Sequence, residues 1–118
     1  MPRYKITVEY LGTNFSGWQK QKNSYSIQEA IEKSASKLLQ QKIDLVVAGR
    51  TDAGVHADAQ VAHLDIKKAF CSRKMQLGIN FHLLNEKFGK DISIKKVTKV
   101  NSKFNARFSA KKKIYQYL

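Results

Sequence analysis

The sequence has one cysteine, one proline and six glycines in 118 residues, and no apolar run near the ~18 residues that a membrane helix needs. A single thiol, Cys71, closes no internal disulfide and builds no cysteine metal site; it suits a reducing compartment, and its expected role is packing. Scarce proline and glycine, with 42% hydrophobic and 10% aromatic residues, exclude collagen-like and disordered chains. The opening residues MPRYKITVEY lack the apolar centre of a secretory signal, so the expected location is cytoplasmic. No segment sets Trp and Phe against a charged face, which makes a membrane surface a poor partner.

Acids are scarce too. Nine Asp and Glu stand against 22 Lys and Arg, a formal net charge of +13. Residues 1–60 hold eight bases and six acids, whereas residues 61–118 hold fourteen bases and three acids, so the excess sits in the second half. Residues 95–113 carry Lys95, Lys96, Lys99, Lys103, Arg107, Lys111, Lys112 and Lys113 with no acid among them. Such a stretch draws a polyanion, and nucleic acid is the polyanion that fits best. Plain solubility is the duller alternative.

The length suits one domain. Tyr4, Ile6, Val8 and Tyr10 alternate with polar residues, which predicts a strand over 4–10. Residues 11–25 are rich in turn formers yet carry Phe15 and Trp18, as a partly tucked loop does. Ser26 followed by Glu29 is a capping box, and Ile27, Ala30, Ile31, Ala35, Leu38 and Leu39 recur at helical spacing, predicting a helix over about 26–41. Residues 45–48 read as a short buried strand, and 59–66 as another with Ala62, Leu64 and Ile66 on one face and Val61, His63 and Asp65 on the other. A second helix is expected over 72–84, with Met75, Ile79, His82 and Leu83 near one face; Gly78 weakens it by about 1 kcal/mol. Ile92, Ile94, Val97 and Val100 mark a strand broken in register, and 114–118 begins a last one. The order implies an α+β fold: a ferredoxin-like, RRM-like split βαβ antiparallel sheet with two helices on one face. The chain stops inside an apolar alternating run, which suggests the front part of something longer.

Gly49-Arg50-Thr51-Asp52-Ala53-Gly54-Val55-His56-Ala57 concentrates small residues around one acid and one arginine. Small neighbours leave Asp52 accessible on the floor of a cleft, and a guanidinium two residues away favours its ionised form, as a nucleophile or base requires. The alternative is a plain turn with Asp52 bonded to nearby amides. A metal site from Asp52, His56, Asp58 and His63 matches no tight ligand spacing, and His63 should face away from Leu64 along its strand. Gly17-Trp18-Gln19-Lys20-Gln21 sets an aromatic plane among amides and a base, suited either to RNA or to a core lid. Asn105-Ala106-Arg107-Phe108-Ser109-Ala110, followed by Lys111, Lys112, Lys113, Ile114 and Tyr115, interleaves bases with aromatics as nucleic-acid surfaces do. Its alternative is an edge strand guarded by lysine.

These pieces, in this order, resemble the N-terminal half of a tRNA pseudouridine synthase of the TruA type. The resemblance runs through Tyr4 to Gly17-Trp18-Gln19, Ser26-Ile27-Gln28-Glu29, the Gly49 run continuing to Gln60-Val61-Ala62-His63, then Gly78-Ile79-Asn80 and Ala106-Arg107-Phe108-Ser109-Ala110 with Tyr115-Gln116-Tyr117. It implies that residues 1–118 form the catalytic-aspartate subdomain, with the second half absent. Asp52 would be the catalytic aspartate, Arg50 its neighbouring essential arginine and Tyr115 the tyrosine packed on the target base. Arg107 matches an arginine near the cleft, and Lys111, Lys112 and Lys113 would hold phosphates. The family isomerises uridines in the tRNA anticodon arm, at about positions 38–40, without cofactor or metal, on a base that has left the stack. It works as a homodimer.

The pattern departs from the family at Ala59, where glycine is usual, and over residues 81–90, which lack a proline. With half a cleft, Asp52 would stand in water and Tyr115 near a chain end, so weak or no activity is expected of this chain alone. The rival readings are a non-catalytic basic RNA-binding module and a degenerate fragment. The first is disfavoured because the chain has no Lys-Gly-Phe-Gly-Phe type of run.

Overall fold

The computed structural model describes residues 1–11, 26–47, 57–86 and 89–107, with backbone alone for 57–59. The alternation at the N-terminus forms β1 (Arg3–Tyr10), whose even-numbered side chains are all buried. Ser26 caps α1 (Ile27–Leu39) by accepting the Glu29 amide on its hydroxyl at 3.1 Å. The helix closes at Gln40, which takes a left-handed conformation (φ 55°) and donates its amide to the Ser36 carbonyl. β2 (Val46–Val47) and β3 (Ala57–Asp65) follow, then α2 (Ser72–Leu83), a 3₁₀ turn (Gly89–Asp91) and β4 (Ile92–Val100).

The sheet is antiparallel in the order β2-β3-β1-β4. That is the expected split βαβ arrangement, with β1 central. Both helices lie on the face carrying Tyr4, Ile6, Val8 and Tyr10, and pack with Ala62, Leu64, Ile92 and Ile94 into one core. Each large aliphatic side chain buried there stabilises the fold by about 1.5–3 kcal/mol before entropy is counted. Tyr4 keeps its buried hydroxyl satisfied by accepting the Phe70 amide and donating to the Phe70 carbonyl, both at 2.8 Å. This pins the link between β3 and α2.

The broken register of the last strand is a bulge: Thr7 faces Lys96 and Val8 faces Ile94, leaving Lys95 extra. Three expectations need correction. Cys71 is not packed but exposed, because it occupies the cap position ahead of α2 rather than an inward turn of it. His82 is only half-buried; Met75, Ile79 and Leu83 fill the inner stripe at helical spacing, and His82 falls beside it, edge-on to Phe81. The strand expected over 45–48 does not include Leu45, which is held by α1 instead; Val46 and Val47 pair with β3, and Ala48 lies outside the described residues. The expected loop with Phe15 and Trp18 and the strand over 114–118 lie outside the described residues.

Candidate functional site

The sheet face opposite the helices carries the chemistry. Here Arg3, Lys5, Thr7 and Glu9 of β1 stand across from Asp65, His63 and Val61 of β3 and from Val100, Thr98, Lys96 and Ser93 of β4. Neither α1 nor α2 covers it. Lys96 is exposed, and Lys95 in the bulge lies 3.8 Å from the Glu9 carboxylate.

After β4 the chain turns back over this face. Asn101 shapes the turn by accepting the Lys103 amide on its side chain (2.8 Å) and the Phe104 amide on its carbonyl (2.9 Å). Arg3 then holds the returning segment. Its Nε and Nη2 donate to the two Asp65 carboxylate oxygens at 2.8 and 3.0 Å, while Nη1 donates to the Phe104 carbonyl. The Phe104 ring meets His63 edge-on, with centroids 6.0 Å apart, and Lys5 Nζ lies 5.9 Å from the Phe104 centroid. His63 is 3% exposed and accepts the Ala106 amide on Nδ1 at 3.1 Å, which leaves its ring proton on Nε2. Burial first, then the nearby Arg3 charge, holds the imidazole below its ordinary pKa, against the pull of Asp65. The Arg3 hydrogen bonds draw the Asp65 carboxyl below the usual carboxylate range, against partial burial.

Arg107, next along the chain, is exposed, and its amide is capped by the Asn105 side chain at 3.0 Å. Of the site residues expected from sequence it is the one described. Arg50, Asp52, Lys111, Lys112, Lys113 and Tyr115 lie outside the described residues, as do the side chains of His56 and Asp58. The anchors of the Asp52 segment are described. Leu45, just upstream, has its amide bound by Glu32 (2.8 Å) and its carbonyl by Gln28 (3.4 Å), so α1 fixes the backbone leading into β2. Val47 pairs with Ala62 and Ala57 pairs with Tyr10, so residues 48–56 connect two adjacent strands. Leu11, where β1 gives way to residues 12–25, donates its amide to the Asp91 carbonyl at 2.9 Å, next to the start of β4. Leu11 and Ala57, which flank residues 12–25 and 48–56, both lie at the Tyr10 end of β1.

Among the described residues, no group of three or more His, Cys, Asp or Glu side chains is placed to hold a metal ion. His63 commits its Nδ1 to Ala106. Cys71 forms no side-chain cap bond, yet the amides of Lys74 and Arg73 face its sulfur and draw the thiol below its ordinary pKa.

A sequence model described as tRNA pseudouridine synthase matches residues 6–109. The chain belongs to that family. It is 48% identical over 117 residues to the tRNA pseudouridine synthase A proteins of Brucella ovis, Brucella canis and Brucella melitensis, covering 99% of this chain and 46% of each relative. It thus spans about half the length of the curated relatives it matches.

Several residues in the resembling stretches have scaffold roles. Ser26 and Gln28 cap α1 and hold Leu45. Gly78 lets α2 approach α1, since a methyl group there would sit 2.5 Å from Leu38 Cδ1. Asn80 pairs with both backbone groups of Ile94, accepting its amide at 2.8 Å and donating to its carbonyl at 3.1 Å, while Gln76 donates to the Lys95 carbonyl at 2.8 Å. These amides satisfy the bulge. Sequence reading missed Gln28, Glu32, Asn80 and His63 as clamps, because each acts on a backbone group remote in sequence.

Proposed function

We propose that this chain supplies the aspartate-bearing half of a tRNA pseudouridine synthase, acting on uridines of the anticodon arm at about positions 38–40 once the base has left its stack. The observation that carries this reading is the match over residues 6–109, which contains the whole Gly49-to-Ala57 run. In the reaction the N1–C1′ bond breaks, the freed uracil turns while bound, and C5 joins C1′. The C5 proton is lost and N1 regains one, so no redox carrier enters the balance.

Asp52 acts on the sugar, either as a nucleophile at C1′ or as a base, and Arg50 keeps its carboxylate ionised and oriented. Tyr115 stacks on the uracil, with its hydroxyl placed to serve the C5 proton. Arg107, Lys111, Lys112 and Lys113 bind phosphates, which fixes the tRNA without reading its bases.

Residues 1–118 act as one catalytic subdomain in the cytoplasm, with tRNA as the partner and no cofactor or metal. A homodimer of the whole protein would complete the tRNA-binding surface. The test is base-by-base mapping of pseudouridine in an unmodified tRNA treated with this chain plus the remaining half of the Brucella ovis relative. Product confined to the anticodon arm supports the proposal. Tight tRNA binding with no product would favour the second reading, a basic binding module, which the exposed cations on the open face favour.

A further inference from the structure

The segment after β4 is fastened to the open face by contacts for which the isomerisation has no use. Ala106 is fully buried over β3, and its amide has His63 Nδ1 as acceptor in a site shielded by Phe104. A buried amide stripped of its acceptor bears its full desolvation penalty. Arg3 fastens the same segment two residues earlier, through the Phe104 carbonyl, and is itself fixed by the Asp65 carboxylate. Two strands thus grip one short stretch of chain, and the next residue is Arg107, the first cation of the run that continues to Lys113.

We propose that His63 is a positioning residue: by accepting the Ala106 amide it sets the point from which Arg107 is presented to tRNA phosphates. What the segment meets rests on the proposed synthase function; the clasp itself is a property of this fold. Only an unprotonated Nδ1 accepts an N–H, so the clasp opens when the imidazole takes a second proton. The charged groups around His63 are Arg3 and Lys5 of β1, Asp65 of its own strand, and Arg107 beyond Ala106. Lys42 and Asp44, from the link between α1 and β2, and Met1 with its N-terminal ammonium share with it a cleft of about 360 Å3. Burial and Arg3 oppose protonation, and Asp65 favours it.

The test compares the wild-type chain with His63→Asn, which keeps an acceptor at the δ position but does not titrate, and His63→Leu, which removes the acceptor. Two quantities are read: hydrogen exchange of the Ala106 amide and affinity for an unmodified tRNA transcript. At pH 7.5, His63→Asn should keep both within about threefold of wild type. His63→Leu should speed Ala106 exchange roughly tenfold or more and weaken tRNA binding severalfold, with Ile6 and Val8 amides still protected. Should His63→Leu fail to fold, a pH series decides. As the pH is lowered stepwise from 7.5 to well below 6.5, after correction for the intrinsic rate, Ala106 should open in wild type at a pH where it stays closed in His63→Asn.

Unchanged Ala106 protection in a folded His63→Leu, or an equal pH response in His63→Asn, would overturn the clasp. An opened segment with unchanged tRNA affinity would overturn the positioning role. A wild-type chain with protected Ala106 and no tRNA affinity would instead refute the proposed function, and with it tRNA as the ligand of this segment.

Discussion

Asp65 and His63 sit side by side on β3 and respond to acid in separate windows. His63 has a folded pKa below its unfolded value of about 6.5, so the unfolded chain binds the proton more readily. Its contribution to stability is complete above that value and is lost as pH falls toward the folded value. Thermal melts should therefore show stability dropping as pH falls below about 6.5, and His63→Asn should flatten that drop. The Asp65 contribution is present above about pH 4 and fades only as pH falls through its still lower folded value. Since the Asp65 side chain is 39% exposed, the Arg3 pair is worth only about 0.5–1 kcal/mol, and Asp65→Asn should cost no more than that in a urea melt. Much of the Arg3 contribution comes instead from the Phe104 carbonyl, which Asp65→Asn leaves in place.

Helix and strand periodicity makes most elements legible in the sequence. The alternation of β1 and the Ser26–Glu29 capping box are local signals, and local signals are what a sequence displays directly. The irregular spacing from Ile92 to Val100 likewise announces the bulge. What escapes are contacts between distant positions: Glu32 on Leu45, Asn80 on Ile94, and the burial of His63 under a segment that follows another strand. A polar residue at such a place resembles a solvated one until its partner is known. Gly78 shows the same limit, since a helix glycine reads as a defect but in this fold marks the α1–α2 contact. Gly78→Ala gains about 1 kcal/mol of helix propensity, whereas crowding Leu38 costs about 1–3 kcal/mol. Because the atoms met are the ends of the half-buried Leu38 side chain, which can turn aside, that cost falls at the low end and a denaturant melt should record a change near zero rather than the usual gain. Gly89→Ala should be worse, by about 2–3 kcal/mol, because the new methyl group runs into the Leu83 carbonyl, a backbone atom with little freedom to move.

Across the whole molecule the two sheet faces divide the labour. One buries the core against the helices; the other presents cations and holds the Phe104–Ala106 stretch that follows β4. Under the proposed function tRNA approaches the second face, so charge removal should matter by side. Lys96 stands on the open face opposite Thr7, while Lys99 falls on the helix side opposite Tyr4. In a salt titration of tRNA affinity, Lys96→Ala should lower the slope of log K against log salt by about 1, and Lys99→Ala should leave it unchanged. Equal effects from the two would mean a diffuse cloud of charge rather than a docking face.

The central claim is that Asp52 performs the chemistry while the sheet and its basic segment hold tRNA. The most direct test is the single-turnover rate of pseudouridine formation in unmodified tRNA, with the remaining half of the Brucella ovis relative supplied, for wild type and Asp52→Asn. The expected result is product from wild type, none detectable from Asp52→Asn, and tRNA affinities within about twofold, since neutralising one carboxylate in a chain of net charge +13 alters binding little. Product from Asp52→Asn at a comparable rate, or none from either protein, would contradict that claim.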